Sequence, residues 1–193
     1  MRGVIRTTVG YAGGTSPQPT YRTIGDHSET IRLEFDPQVI TYEALLDVFW
    51  HTHDAFRPGW SRQYRSAIFY QDDAQREAAL ASLERAEAAH GRKATTAIEP
   101  AGEFTRAEDY HQKYYLRGDR ILAAEFAELY PDEREFADST AAARVNSVVA
   151  GYGGATVLER DGEELGLSEE AMSRLWHLVR GRAVHARGVF YCE

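Results

Sequence analysis

The stretch Glu29-Thr30-Ile31-Arg32-Leu33-Glu34-Phe35-Asp36-Pro37 decides how the fold of this chain is predicted. Apolar and polar residues alternate from Glu29 to Phe35, which is typical of a half-buried β-strand. The pattern places Ile31, Leu33 and Phe35 on the buried face. The Asp-Pro pair that follows ends the strand. The chain therefore contains at least one half-buried strand.

The neighbouring segments extend this pattern into an α+β arrangement. The predicted elements are a strand over 4–9, a glycine-rich loop over 10–20, a helix over 42–51 capped by Thr41, a strand over 66–70, a helix over 72–90 and a strand over 95–98. Leu45, Leu46, Val48 and Phe49 form the predicted buried stripe of the first helix. The order of these elements predicts a ferredoxin-like split βαβ sandwich that lacks its first strand and helix.

In the ferredoxin-like plan the first strand is central in the sheet. Without it, the neighbouring strands keep unpaired backbone groups and an open edge, which costs stability. We therefore expect this chain to be truncated at its N-terminus.

The pattern changes to helices alone after about residue 118. Helices are predicted over 121–130, from Ser139 or Thr140 to 150, and over 168–180, where acidic residues follow Ser168 and glycine ends the helix. The predicted organisation is an α+β domain over 1–117 and a helical C-terminal extension over 118–193.

Composition and charge exclude several classes of partner. The 193 residues carry a formal net charge of −8, which disfavours nucleic acid and anionic membranes because both require clustered Lys and Arg. No apolar run reaches the length of a membrane span, and the N-terminus lacks a signal-peptide core. The single cysteine, Cys192, is typical of a reducing cytosol, so a cytoplasmic location is predicted. His51 and His53 fall on different faces of their predicted helix, and no metal site is expected.

Several motifs occur in an order that carries more information than any one of them. In chain order they are Val9-Gly10-Tyr11-Ala12-Gly13-Gly14, Pro17-Gln18-Pro19-Thr20-Tyr21, Gly25-Asp26-His27-Ser28-Glu29, Phe35-Asp36-Pro37, Tyr42-Glu43-Ala44-Leu45-Leu46, Phe49-Trp50, His53-Asp54, Gln63-Tyr64-Arg65-Ser66 and Ala107-Glu108-Asp109-Tyr110-His111-Gln112. Together they resemble the peptide methionine sulfoxide reductases of the A type, over about residues 3 to 115.

The resemblance implies reduction of the S-epimer of methionine sulfoxide, free or in proteins, as repair of oxidative damage. A thiolate attacks the sulfur, an acid protonates the departing oxygen, and a second thiol resolves the oxidised enzyme. The family uses no bound cofactor, so a thioredoxin-like dithiol is the implied electron donor and partner.

The resemblance also assigns three site residues. Glu29 matches the glutamate that protonates the oxygen, and Tyr21 and Tyr64 match two tyrosines that bond to the same oxygen. Two phenols and one protonated carboxyl around one oxygen form a reasonable electrophilic pocket. Taken without the resemblance, lone tyrosines beside strands are more often packing residues, and a glutamate at a strand start is usually solvated.

This sequence departs from the family pattern in two places. The family carries a Gly-Cys-Phe-Trp nucleophile motif upstream of the first glycine-rich run, and no cysteine precedes Cys192 here. The loop Arg57-Pro58-Gly59-Trp60-Ser61-Arg62 also lacks an aspartate that many members carry before Gln63. Trp60 is predicted either to line the substrate pocket or to pack on the surface.

Cys192 has three possible roles: a resolving thiol, a replacement nucleophile, or an incidental thiol near a frayed chain end. The leading prediction is an enzyme by resemblance that cannot turn over as this chain stands. The alternative is a non-catalytic binding module that retains the sulfoxide pocket without the nucleophile.

Overall fold

The computed structural model describes residues 1–183 of the chain. Its strands are β1 (Val4–Ala12), β2 (Ser28–Phe35), β3 (Ala67–Tyr70), β4 (Ala97–Pro100) and β5 (Thr105–Arg106). Its α-helices are α1 (Tyr42–Thr52), α2 (Asp73–His90), α3 (Tyr114–Gly118), α4 (Arg120–Leu129), α5 (Glu133–Asp138), α6 (Thr140–Val149), α7 (Gly154–Asp161) and α8 (Glu169–Ala183). The predicted mixture of α and β structure is confirmed.

The strands form two small sheets. One has the order β2-β1-β5, and the other pairs β3 with β4 in parallel, Ala67 opposite Ala97. β1 continues three residues beyond its predicted end, because Gly10 pairs with Arg106 of β5. A Cβ on Gly10 would overlap the Thr105 carbonyl oxygen and the Phe104 ring. This glycine therefore permits close pairing with β5 and does not end the strand.

The predicted buried face of β2 is wrong. Ile31 is 59% exposed and Leu33 is 37% exposed, although the strand itself forms where predicted. Alternation indicates which side chains share a face of a strand. Whether another element covers that face depends on the rest of the fold.

The described chain divides into two compact units. Within the described residues, the helical unit contains 1–8, 32–35 and 108–183, and the sheet–helix unit contains 9–31 and 36–107. Each of β1 and β2 contributes residues to both units. These units differ from the predicted division at residue 117, which remains a prediction about domains.

The helical unit has its own apolar core. Its fully buried side chains include Leu116, Leu122, Phe126, Val145 and Leu175. Helices α3, α5 and α7, which sequence patterns did not predict, belong to this unit. They are five to eight residues long, so they offer too few turns for a helical period to be recognised.

Polar contacts connect the segments of the helical unit. Asp119 caps α4 and binds Arg174 of α8 through both Nε and a terminal nitrogen, at 2.9 and 2.8 Å. The buried Lys113 ammonium donates to the carbonyl oxygens of Thr7 and Ala137, at 2.8 and 2.6 Å. β1 is thereby attached to the segment that contains α5.

Helices α1 and α2 provide the core of the sheet–helix unit. Thr41 caps α1 as predicted, and its hydroxyl accepts from the Ala44 amide at 3.2 Å. Leu45 and Leu46 of the predicted stripe are buried, whereas Val48 is 38% exposed. Between the two helices, the buried Trp50 indole donates to the Ser82 hydroxyl at 2.9 Å.

Candidate active site

The candidate site lies at the beginning of β2. Glu29, near the start of that strand, donates its backbone N–H to the Gln63 carbonyl oxygen at 2.9 Å. Gln63 and Tyr64 lie in the loop that leads to β3. The pairing therefore brings two segments that are 34 residues apart side by side.

Three predicted site residues meet at this point. The Gln63 amide nitrogen lies 2.7 Å from Oε1 of Glu29 and 3.0 Å from Oη of Tyr64. Tyr64 is also hydrogen-bonded to Tyr21 and lies beside Glu29. Tyr21, Glu29 and Tyr64 therefore lie close together, and their roles stay a prediction.

The environment of Tyr64 favours the neutral phenol. Burial, the hydrogen bond with Tyr21 and the nearby Glu29 carboxylate raise the pKa of Tyr64 to about 12. A neutral phenol keeps its O–H hydrogen over the physiological pH range. Tyr64 can therefore act as a hydrogen-bond donor in this pocket.

Trp60 lies at the rim of the same pocket. Its ring stacks on Tyr64 with centroids 4.6 Å apart and an interplanar angle of 26°. Trp60 is 83% exposed and Tyr21 is 43% exposed, so solvent reaches the pocket from this side. The indole combines both sequence-based alternatives, because it borders the pocket and lies at the surface.

An arginine connects the base of the site to the second sheet. Arg65 binds Glu99 of β4 through two bonds of 2.6 Å, and its Nε donates to the Ser28 hydroxyl at 2.9 Å. The hydrogen bond from Arg65 lowers the pKa of Glu99 below its usual range. Ser28 in turn donates to the Arg62 carbonyl oxygen at 2.9 Å, so the residue before Glu29 has a fixed position.

The glycine-rich loop beside the site is held by Asp26. Its carboxylate accepts from the backbone and hydroxyl groups of Ser16 and Thr15, at 2.7 to 3.0 Å. These hydrogen bonds, with those from Ser16 largest, lower the pKa of Asp26 far below its usual range. Arg62 donates to the carbonyl oxygens of Asp26 and Gly13, which attaches the loop to the segment before Gln63.

Sequence reasoning did not assign Gln63, Arg65, Asp26 or Arg62 to the site. Gln63 and Arg65 flank Tyr64 in the chain, and that adjacency was the one available signal. The partners of Arg65 and Arg62 are between 34 and 49 residues away, and no local pattern reports such pairings.

No metal centre accompanies the pocket in the described part of the chain. Residues 1–183 contain no group of three or more His, Cys, Asp or Glu side chains placed to hold a metal ion. His51 contacts the Asp47 carbonyl oxygen and His53 contacts the Ser66 hydroxyl, so the two rings have separate partners. None of the helices in this range combines the length and apolar composition that crossing a bilayer requires.

Comparison with known proteins shows the family of this chain. Residues 1–144 match the sequence model of the family described as peptide methionine sulfoxide reductase. The chain belongs to the peptide methionine sulfoxide reductase family. Members are oxidoreductases that repair oxidised methionine.

Individual members of the family are substantially similar to this chain. A peptide methionine sulfoxide reductase of Drosophila melanogaster is 43% identical over 169 residues, covering 86% of this chain and 68% of that protein. The enzyme of the same name from Methanococcoides burtonii is 51% identical over 128 residues, covering 61% of this chain and 84% of its own length. Among solved structures, reduced Mxr1 from Saccharomyces cerevisiae matches with a TM-score of 0.56 at 27% identity, over 67% of this chain and 74% of that one.

The given sequence contains a single cysteine. Cys192 lies outside the described residues, so its predicted role stays a prediction. The described pocket therefore contains hydrogen-bond donors and a carboxyl group, but no sulfur nucleophile.

Proposed function

We propose that the pocket formed by Tyr21, Glu29 and Tyr64 binds the S-epimer of methionine sulfoxide, free or within proteins. One observation carries this proposal: Glu29 and Tyr64 share the Gln63 amide, and Tyr21 is hydrogen-bonded to Tyr64, in a partly solvent-open site. A sulfoxide oxygen only accepts hydrogen bonds, and two phenols and a protonated carboxyl are all donors.

Each residue has a distinct role in the reaction. Tyr21 and Tyr64 donate their O–H hydrogens to the sulfoxide oxygen, and Glu29 in its protonated form transfers a proton to that oxygen as it leaves the sulfur. Trp60 forms one wall of the entrance. In the complete reaction two thiols and one sulfoxide yield a thioether, a disulfide and water, so the sulfur of methionine is reduced while the thiols are oxidised.

The thiols come from outside residues 1–183. A thioredoxin-like dithiol is the proposed electron donor and protein partner, in a cytoplasmic setting, with no bound cofactor. Cys192 is the single thiol of the given sequence, and its proposed role is to resolve the oxidised enzyme by thiol–disulfide exchange. We expect the 193-residue protein to bind sulfoxide without turning it over.

The second candidate function is a non-catalytic binding module. It is favoured by the combination of an assembled pocket with a single cysteine, Cys192, in the given sequence. A module of this kind binds methionine sulfoxide in proteins and leaves the sulfur oxidised.

The finer form of the fold is also a proposal. The order β1, β2, α1, β3, α2, β4 supports a ferredoxin-like split βαβ plan for this part of the chain. A structure of the protein bound to a polypeptide that adds a strand beside β3 would test that plan.

Binding is tested by calorimetric titration of the 193-residue protein with the S- and R-epimers of N-acetylmethionine sulfoxide. We expect the S-epimer to bind more tightly, and Tyr21→Phe and Tyr64→Phe each to weaken it about fivefold, the loss of one hydrogen bond. Tyr110→Phe, at an exposed tyrosine of the helical unit, is the control and leaves binding unchanged. Equal affinity for both epimers, or unchanged binding in both pocket variants, contradicts the proposed site.

Turnover is tested separately with a thioredoxin-coupled assay. We expect no reduction of the sulfoxide by the 193-residue protein beyond the rate without it. Turnover that persists in Cys192→Ser contradicts this expectation, because that variant contains no cysteine. Turnover that Cys192→Ser abolishes identifies Cys192 as the nucleophile and also rules out the binding module.

A further inference from the structure

Gln63 makes two hydrogen bonds with one nitrogen atom. Its Nε2 lies 2.7 Å from Oε1 of Glu29 and 3.0 Å from Oη of Tyr64. A side-chain amide nitrogen carries two hydrogens, so both bonds can form at once. An ionised carboxylate accepts only, which assigns the nitrogen and not the amide oxygen to this position.

Hydrogen bonds fix the position of the backbone from which the Gln63 side chain extends. The Gln63 carbonyl oxygen accepts from the Glu29 N–H, and Ser28 bonds to both Arg62 and Arg65. Ser28 therefore holds Arg62 and Arg65, the two residues that flank the Gln63-Tyr64 pair in the chain. A side chain that starts from such a base loses little additional freedom when it makes its two bonds.

We infer that Gln63 is a positioning residue of the pocket, which orients Glu29 and Tyr64 so that both donate to the oxygen of the bound sulfoxide. This inference rests on the proposed function. Because Gln63 donates to Oε1, the proton of a protonated Glu29 is carried by Oε2. Because Gln63 also fills one lone pair of the Tyr64 oxygen, the Tyr64 O–H is directed away from the amide and towards the ligand.

The hydrogen-bond donors next to Glu29 explain why the Gln63 amide affects ligand binding. Glu29 in its ionised form needs donors, and Tyr64 and Gln63 are both next to it. The Tyr64 hydroxyl is itself hydrogen-bonded to Tyr21 and Glu29. Gln63 supplies the carboxylate with a second donor, so the Tyr64 O–H can leave the carboxylate for the ligand oxygen while Glu29 keeps a hydrogen bond.

Two variants of Gln63 separate positioning from simple packing. Gln63→Met keeps the length of the side chain and removes both donors. Gln63→Glu keeps its shape and replaces the donor with a carboxyl group beside Glu29. The control is Gln38→Met, at an exposed position in the turn after β2.

The experiment measures the dissociation constant of each 193-residue variant for the S-epimer of N-acetylmethionine sulfoxide by calorimetry, across a range of pH. We expect Gln63→Met to weaken binding about tenfold, the loss of one to two hydrogen bonds. Gln63→Glu binds weakly at pH 7 and recovers as the pH falls, because two adjacent carboxyl groups retain a shared proton to higher pH than one alone. Gln38→Met binds like the wild type.

The outcomes distinguish this inference from the proposed function. Wild-type binding together with unchanged binding by Gln63→Met overturns the role of Gln63 alone. A Gln63→Glu profile with the same pH dependence as Gln63→Met also overturns it, since a role in packing predicts no such difference. Absence of binding by the wild type overturns the proposed function, and the inference with it.

Discussion

Trp60 lies against Tyr64 with their ring centroids 4.6 Å apart, and the indole is 83% exposed while the phenol beneath it is partly buried. The exposed indole thus covers one face of the Tyr64 ring. The stacking therefore links Trp60, at the rim of the pocket, to the pKa of Tyr64.

Replacement of Trp60 is expected to lower the pKa of Tyr64. Burial is the largest cause of the raised value of about 12, and Trp60→Ala removes part of that burial. Spectrophotometric titration of tyrosinate, with Tyr64→Phe subtracted to assign the signal, measures the change. Trp176→Ala, in the helical unit, serves as the control, and a Tyr64 curve that stays in place in Trp60→Ala contradicts the prediction.

Gly10 is expected to tolerate no side chain. Gly10→Ala places a Cβ against the Thr105 carbonyl oxygen and the Phe104 ring, so β1 and β5 must separate or the backbone must shift. We expect a loss of at least about 2 kcal/mol in the free energy of unfolding, measured with urea.

Gly102→Ala is the matched control for this glycine. A Cβ at Gly102 meets no atom within 4 Å, and the substitution reduces the entropy of the unfolded chain. It should leave stability equal or slightly higher. A similar loss in both variants would show that the close approach of β5 is not the reason for glycine at position 10.

The buried bond between Trp50 and Ser82 is expected to contribute to stability. Ser82→Ala leaves the indole N–H without its acceptor in the interface of α1 and α2, and the expected loss is about 1–3 kcal/mol. Urea unfolding followed by circular dichroism measures it. Ser173→Ala, at an exposed position in α8, should change stability by less than about 0.5 kcal/mol, and an equal effect at both sites contradicts the prediction.

The pair of Asp119 and Arg174 is expected to make stability depend on pH. Burial acts to raise the pKa of Asp119, but hydrogen bonds from Arg174 and the Leu122 N–H outweigh it and the pKa is lowered. A group whose pKa falls on folding adds stability above its unfolded pKa, about 3.9, and loses it as the pH falls through the folded value.

Asp119→Asn tests this pair, because the asparagine amide oxygen can still cap α4 while the charge and the oxygen that accepts from Arg174 are lost. At pH 7 we expect a loss of about 1–3 kcal/mol, and the difference from wild type should shrink as the pH falls below about 4. Glu133→Gln, which breaks the more exposed pair with Arg117, should cost less than about 1 kcal/mol. A difference between wild type and Asp119→Asn that grows as the pH falls would contradict the assigned sign.

Local patterns predicted much of the fold. The Thr41 cap, the strand of which Phe35 is the last residue and the helix that ends at His90 lie where the sequence placed them, because caps, alternation and glycine act over a few residues. The strand at 105–106 was not predicted, since two residues carry no period and β5 exists only through its pairing with Gly10 and Tyr11.

The sequence by itself determined the α+β character of the chain and its family resemblance, and it proposed Tyr21, Glu29 and Tyr64 as site residues. Those features depend on the order of residues along the chain. The tertiary structure decided which side chains meet: the Gln63 amide between Glu29 and Tyr64, the Trp60 ring on Tyr64, and the exposure of Ile31. The contact between Gln63 and Glu29 joins segments 34 residues apart, and the exposure of Ile31 depends on what covers that surface. The stacking of Trp60 on Tyr64 depends on the path of an irregular loop, so none of the three is encoded in a periodic local pattern.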